Sequence, residues 1–178
     1  MDERGTAGQL LLRAFRWTHG RADFADALRD PDLLAAIGPA LAGPFAASGV
    51  TAVVALEARG FVVGGLVARE LGVGLVLARK PGAVHPDSDG QAATAPDWRG
   101  RHVEILISRR AVRSGDCLLL VDDWIETGSQ ARTVSTLAER RGADVVGVSV
   151  LVDDTPDDVR EELTVVGLVR SSELPPDA

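Results

Sequence analysis

The sequence is poor in the residues from which many functional sites are built. It has one cysteine, Cys117, in 178 residues. A single thiol excludes an internal disulfide and a cysteine-built zinc cluster, and it reads as a small core residue at the start of a strand. The histidines, His19, His85 and His102, are scattered, so no histidine metal site is expected. There is no block of Lys or Arg, and the formal net charge is −7. Non-specific nucleic-acid binding needs a basic face and is not expected. A small anionic ligand stays open, because local charge can depart from net charge. No apolar run approaches membrane-spanning length, and the N-terminus carries no basic-then-apolar signal pattern. The expectation is a soluble, cytoplasmic protein with neither nucleic acid nor membrane as partner. Repeats at solenoid spacing are absent, as are GxGxxG after a first strand and GxxxxGK[ST].

What is present is a globular mixture, 46% apolar and 25% charged, and its length suits one domain with one sizeable core. Aromatics are few; Ala, Val, Leu and Gly dominate. Residues 51–56 (TAVVAL), 73–78, 117–122, 144–151 and 164–169 read as buried strands. Residues 60–71 (GFVVGGLVAREL) read as a helix closed by Gly72, and an earlier helix spans about 31–47. Residues 129–141 form a helix with Ala131, Val134, Leu137 and Ala138 on one face, stopped by Arg140, Arg141 and Gly142. Apolar strands alternating with helices predict an α/β fold, a parallel sheet covered on both faces. Residues 1–30, with Trp17, His19 and Phe24, form a small N-terminal segment over the sheet. Residues 81–100 (PGAVHPDSDGQAATAPDWRG) lack periodicity and read as a lid loop. Residues 101–113 look like a charged β segment, and 171–178 (SSELPPDA) like a frayed tail.

The segment LLLVDDWIETGSQ, 118–130, carries most of the chemistry. In a parallel α/β sheet, ligands bind at the carboxyl ends of the strands. Asp122 and Asp123 lie at such an end. Thr127, Gly128 and Ser129 open the next helix, whose free N–H groups and positive dipole end suit a phosphate. The two carboxylates can accept hydrogen bonds from vicinal sugar hydroxyls or serve as hard oxygen ligands for Mg²⁺. Helix capping explains Thr127 or Ser129. It does not explain two adjacent acids with Glu126 beyond them. A second loop, Glu57-Ala58-Arg59-Gly60, follows the 51–56 strand at the same kind of edge. Arg59 offers a planar set of donors to phosphate oxygens, and Gly60 lets the next helix start close by. Arg79 and Lys80 leave the following strand there too, two cations beside an anion site.

LLLVDDWIETGSQ resembles the phosphoribosyl-pyrophosphate motif of the type I phosphoribosyltransferases, and the adenine branch matches best. LEARGFVVGGLVARELGVGLVLARKPG, 56–82, resembles that branch's pyrophosphate loop and the strand bearing its Arg-Lys pair; LRDPDLLAAI, 28–37, resembles its N-terminal helix start. The resemblance covers about residues 20–152. It implies that Asp122 and Asp123 bind the ribose hydroxyls, that Thr127, Gly128, Ser129 and Gln130 bind the 5′-phosphate, and that Glu57, Ala58, Arg59, Gly60, Arg79 and Lys80 surround pyrophosphate and its Mg²⁺, often through an unusual peptide conformation. Mg²⁺ would be held through pyrophosphate and ribose hydroxyls, with Asp122 as a candidate ligand. Asp97 and Trp98 fall where the adenine enzymes carry a lid acid and an aromatic that assist proton transfer and closure.

Three positions differ from that branch. Gly128-Ser129-Gln130 stands where Gly-Gly-Thr or Gly-Lys-Thr is usual. Glu126 replaces a small residue and matches the acid of the hypoxanthine-guanine and xanthine enzymes. Arg21, Ala22 and Asp23 align with Phe-Arg-Asp. The implied reaction is displacement of pyrophosphate at the anomeric carbon by a ring nitrogen of a purine-type base, with Glu126 and Asp97 as the candidate catalytic acids. A homodimer is expected by the same resemblance. The alternative is a regulatory module that binds phosphoribosyl pyrophosphate without turnover, since one fold serves both.

Overall fold

The computed structural model describes residues 3–80, 88–93 and 104–177. Helix α1, Glu3–Ala14, buries Ala7, Gly8 and Leu11. Strands β1 (Trp17–Thr18) and β2 (Arg21–Ala22) pair antiparallel, and helix α2 spans Phe24–Ala27. Helix α3, Pro31–Ala42, starts where its sequence dictates: the Asp30 side chain accepts from the Asp32 and Leu33 N–H groups, and Pro31 occupies the first turn. It is shorter than the expected 31–47, because Pro44 supplies no N–H to continue the ladder and Gly43–Phe45 tightens into a 3₁₀ turn.

Strand β3, Ala52–Leu56, is buried throughout and leads to helix α4, Gly60–Leu71. Strands β4 (Gly74–Arg79), β5 (Ser88–Ala93), β6 (Glu104–Ser108) and β7 (Cys117–Ile125) follow. Helix α5 (Ser129–Glu139), strand β8 (Asp144–Asp153), helix α6 (Asp157–Leu163) and strand β9 (Val165–Arg170) complete the order. The seven-stranded sheet runs β5-β6-β4-β3-β7-β8-β9. Strands β4, β3, β7, β8 and β9 are parallel.

The expected parallel sheet is present in these five strands, and one edge adds β6, antiparallel to both β4 and β5. Residues 94–103 are too few for the crossover a parallel β5–β6 pair needs. Part of the expected lid is therefore a strand at 88–93. Asp97 and Trp98 lie outside the described residues.

Both faces are covered, as continuous apolar strands require. Val53, Leu119 and Val121 pack toward α1, α3 and α4, while Val54, Leu118 and Leu120 join Ala131, Val134, Leu137 and Ala138 of α5. Helix α6 was not foreseen because it buries none of its residues and so has no apolar stripe. The tail is docked rather than frayed: Ser171–Glu173 forms a 3₁₀ turn, and the Trp17 indole N–H donates to the Pro175 carbonyl at 2.7 Å. A half-buried Trp needs such a partner. None of the described helices is long and apolar enough to cross a membrane.

Candidate active site

Strands β4, β3 and β7 are neighbours, so their carboxyl ends bring three separate loops together. The Glu57 carboxylate accepts from the Lys80 N–H at 2.7 Å, and the Glu57 N–H donates to the Ala78 carbonyl at 2.9 Å. These bonds fasten the 57–60 loop to the Arg79-Lys80 exit. The Glu57–Ala58 peptide is cis. Arg79 places its guanidinium carbon 5.6 Å from the centre of the Phe61 ring, and its Nε is buried without a hydrogen-bond partner among the described residues.

The acids do not hang at the end of β7, as 117–122 implied. The strand continues through them to Ile125, because β8 is long enough to pair Trp124 with Val152 and Ile125 with Asp153. Both acids are buried, Asp122 at 8% and Asp123 at 7% exposure. Asp122 Oδ1 accepts from the Asp123 N–H at 2.8 Å. Helix α4 begins against them: a Cβ on Gly60 would lie 2.8 Å from Asp122 Oδ1, so the close start expected of that glycine is present. Burial, then the Asp123 charge and a side-chain hydrogen bond with it, push the Asp122 carboxyl well above the ordinary carboxylate range; the Asp123 N–H and Lys80 oppose this.

That shift has a sign. The folded protein keeps the Asp122 proton at pH values where the unfolded chain, with a pKa of about 3.9, has lost it. Stability from this group is complete below the unfolded pKa and is lost as pH rises through the raised folded one. Asp122→Asn keeps the acceptor for the Asp123 N–H and cannot ionise. We expect the metal-free variant to melt higher than wild type at pH 7, with the gap closing toward pH 4, as read by thermal unfolding across that range.

Arg59 does not reach outward alone. Its Nε lies 2.5 Å from Asp123 Oδ2, its Nη1 donates to the Ala22 carbonyl at 3.4 Å, and its guanidinium carbon sits 5.2 Å from the Phe24 ring centre. The Asp123 contact is ionic: Oδ2 has no hydrogen-bond donor among the described residues.

After Ile125 the chain turns through Glu126 and Thr127 to Gly128, whose left-handed φ of 70° favours glycine at the start of α5. A pocket of about 180 Å³ lies along this turn, lined by Asp122, Trp124, Glu126, Thr127, Ser129 and Gln130 among others. The Thr127 hydroxyl accepts from the Ser129 N–H at 3.3 Å. Arg132, which sequence reasoning missed, donates to the Thr127 carbonyl at 2.8 Å and forms a two-pronged pair with Glu162 of α6 at 2.7 and 2.9 Å. The turn is thereby braced from the far side. Its partner stands thirty positions on, in a helix without an apolar signature, so spacing held no clue. Asp153 similarly anchors the end of β8, bound by Arg160 Nε at 2.8 Å and Arg170 Nη1 at 2.6 Å.

Among the described residues no cluster of three or more His, Cys, Asp or Glu could hold a metal ion by itself. The donors that fit Mg²⁺ are the paired oxygens of Asp122 and Asp123, too few to complete a shell without oxygens from a ligand.

An acid pair, a hydroxyl-lined helix start and a basic loop thus come together on adjacent strand ends. The chain matches the family model described as phosphoribosyl transferase domain over residues 26–171, and it belongs to that family and is a phosphoribosyltransferase. Adenine phosphoribosyltransferase of Streptomyces coelicolor is 37% identical over 131 residues, 74% of this chain and 70% of that one. The crystal structure of adenine phosphoribosyltransferase from Rhodothermus marinus superposes with a TM-score of 0.80 at 30% identity, covering 93% of this chain and 98% of that one. The Saccharomyces cerevisiae enzyme, solved with an imino-altritol bisphosphate and adenine, gives 0.76 at 26% identity, covering 92% and 98%.

Proposed function

We propose that the chain transfers the 5-phosphoribosyl group of phosphoribosyl pyrophosphate to a ring nitrogen of a purine-type base and releases pyrophosphate. The observation that carries this reading is the convergence of 57–60, 79–80 and 122–130 on one sheet edge. Asp122 and Asp123 hold the ribose hydroxyls. Thr127, Gly128, Ser129 and Gln130, with the start of α5, hold the 5′-phosphate. Glu57, Ala58, Arg59, Gly60, Arg79 and Lys80 surround pyrophosphate. Mg²⁺, held by the substrate's own oxygens with Asp122 in reach, would neutralise charge on the departing group. The residues supply orientation: a gripped phosphate and diol fix the anomeric carbon relative to the acceptor. Cations at 79–80 meet the charge that develops on the leaving group. Asp97 and Trp98, by the family resemblance, would assist proton transfer and water exclusion.

Glu126 lines the pocket two residues beyond Trp124 and faces the base, where a carboxylate can receive or share its proton. The names of the relatives put adenine first among acceptors. Glu126, and Ala22 in place of an Arg, put the 6-oxopurines second. A homodimer is expected from the family resemblance.

The test is a panel of purines and pyrimidines with phosphoribosyl pyrophosphate and Mg²⁺, following pyrophosphate release. Release with one purine is expected, and Glu126→Ala should lower kcat for it by about 10²–10⁴-fold. Donor binding with no release for any base would overturn transfer to a base; full turnover by the variant would remove Glu126 from proton handling.

A further inference from the structure

Arg59 stands between the two halves of the site, and its contacts give it a task separate from pyrophosphate binding. We propose that Arg59 is a positioning residue that ties the N-terminal segment to Asp123 in the donor-free protein, and that the donor's ribose must take Arg59's place, releasing that segment as it binds. The inference rests on the assignment of Asp123 to the ribose hydroxyls.

The tie is a continuous set of contacts. Arg59 Nε meets Asp123 Oδ2 at 2.5 Å, on a carboxylate that is nearly buried. On its other side, the guanidinium lies over Phe24 and reaches the Ala22 carbonyl. Phe24 is fully buried and packs edge-on against Phe15 at 5.7 Å and Trp124 at 6.4 Å. Ala22 pairs with Trp17 across the short β1–β2 ladder, and the Trp17 ring stands 6.2 Å from Trp124. The path leaves β7 at Asp123 and returns to it at Trp124. One cation thus links the acid that receives the donor to the aromatic group beside the acceptor pocket.

Competition follows from geometry. Asp123 Oδ2 is buried with Arg59 Nε 2.5 Å away, so a ribose hydroxyl reaches it only once that side chain has moved. The donor also offers Arg59 a better partner. Its diphosphate presents paired anionic oxygens that match a guanidinium fork, whereas a lone Nε contact uses only part of that fork. The side chain is half exposed and therefore free to turn. Once it turns, Ala22 and Phe24 lose their cation, and the packing of Trp17 against Trp124 loses its outer support.

The test uses the full chain labelled with 5-fluorotryptophan, with the resonances of Trp17, Trp98 and Trp124 assigned from single Trp→Phe variants. Each protein is titrated with phosphoribosyl pyrophosphate and Mg²⁺ without base, and ¹⁹F shifts and binding heat are followed together. In wild type, heat and a shift of the Trp17 and Trp124 resonances are expected at the same midpoint. In Arg59→Ala the Trp17 resonance should begin at the donor-bound position and stay there, whereas Trp124, which lines the pocket, reports bound donor directly; the donor Kd rises about 10–100-fold from the lost charged contact. Phe24→Leu keeps the ion pair but removes the ring, so it should keep the wild-type Kd and lose most of the Trp17 shift. Heat without a Trp17 shift in wild type overturns the tie. So does a wild-type Trp17 shift in Arg59→Ala or, should that variant give no heat, in Phe24→Leu. Absence of heat in wild type instead overturns the donor assignment on which the tie rests.

Discussion

Replacing both Asp122 and Asp123 by Asn lowers kcat/KM for phosphoribosyl pyrophosphate by about 10²–10⁴-fold while the protein remains folded. Each lost hydrogen bond from a ribose hydroxyl to the acid pair costs about 1–3 kcal/mol, and the two are lost together. Folding survives because Asn has nearly the same shape and still accepts the Asp123 backbone N–H that Asp122 Oδ1 now holds. Removing the Asp122 ionisation should stabilise the double variant at neutral pH, and loss of the Arg59–Asp123 ion pair should oppose that gain. A folded, nearly inactive protein is therefore the expected outcome, and it separates binding chemistry from architecture. Steady-state kinetics with the accepted base, together with thermal melts, check it. Unchanged kcat/KM would mean that the pair serves the fold and not the sugar.

Gly60→Ala is expected to be nearly as damaging for an opposite reason. Its new Cβ would lie 2.8 Å from Asp122 Oδ1, 3.2 Å from the Val121 carbonyl oxygen and 3.3 Å from Asp122 Cα. Two of those three atoms are backbone, on a strand paired to β3 on one side and β8 on the other. They cannot yield as a side-chain tip would, so the start of α4 must move or Asp122 must turn. Overpacking of this kind costs about 1–3 kcal/mol of stability. A displacement approaching 1 Å beside reacting groups costs about 10² in rate. Gly65→Ala in the same helix is the control. A Cβ there meets nothing within 4 Å, and the change should stabilise the helix by about 0.5–1 kcal/mol with activity retained. Urea melts and kcat/KM on both variants distinguish a local clash from a general intolerance of α4 to side chains.

The elements that hold the candidate site were legible because burial wrote them as uninterrupted apolar runs. TAVVAL, GFVVGGLVAREL and LLLV can be strands and a helix only in a sheet covered on both sides. The residues at their ends then fell into place: 57–60, 79–80 and 122–130 meet on one edge because their strands are adjacent. What was not legible depended on distance along the chain or on the absence of an apolar stripe. Arg59 meets Asp123 across a loop, a helix and three strands. Arg132 finds Glu162 in a helix that buries nothing. The continuation of β7 through the acids is set by β8, whose length supplies partners for Trp124 and Ile125. The antiparallel edge at β5 and β6 reflects loop length rather than composition. The raised Asp122 pKa needs the packing of α4 against β7, and only Gly60 hinted at it.

Strand β7 carries its two acids as rungs in a ladder, held on the way in by β3 and on the way out by β8. A carboxylate on a dangling loop could drift as sequences change around it; one built into a sheet cannot. On the proposed assignment the sugar-handling end is a fixed frame, whereas Arg21 and Ala22 lie on a short ladder of their own. On that same assignment, a change in the ladder can alter the choice of base while the donor keeps its seat.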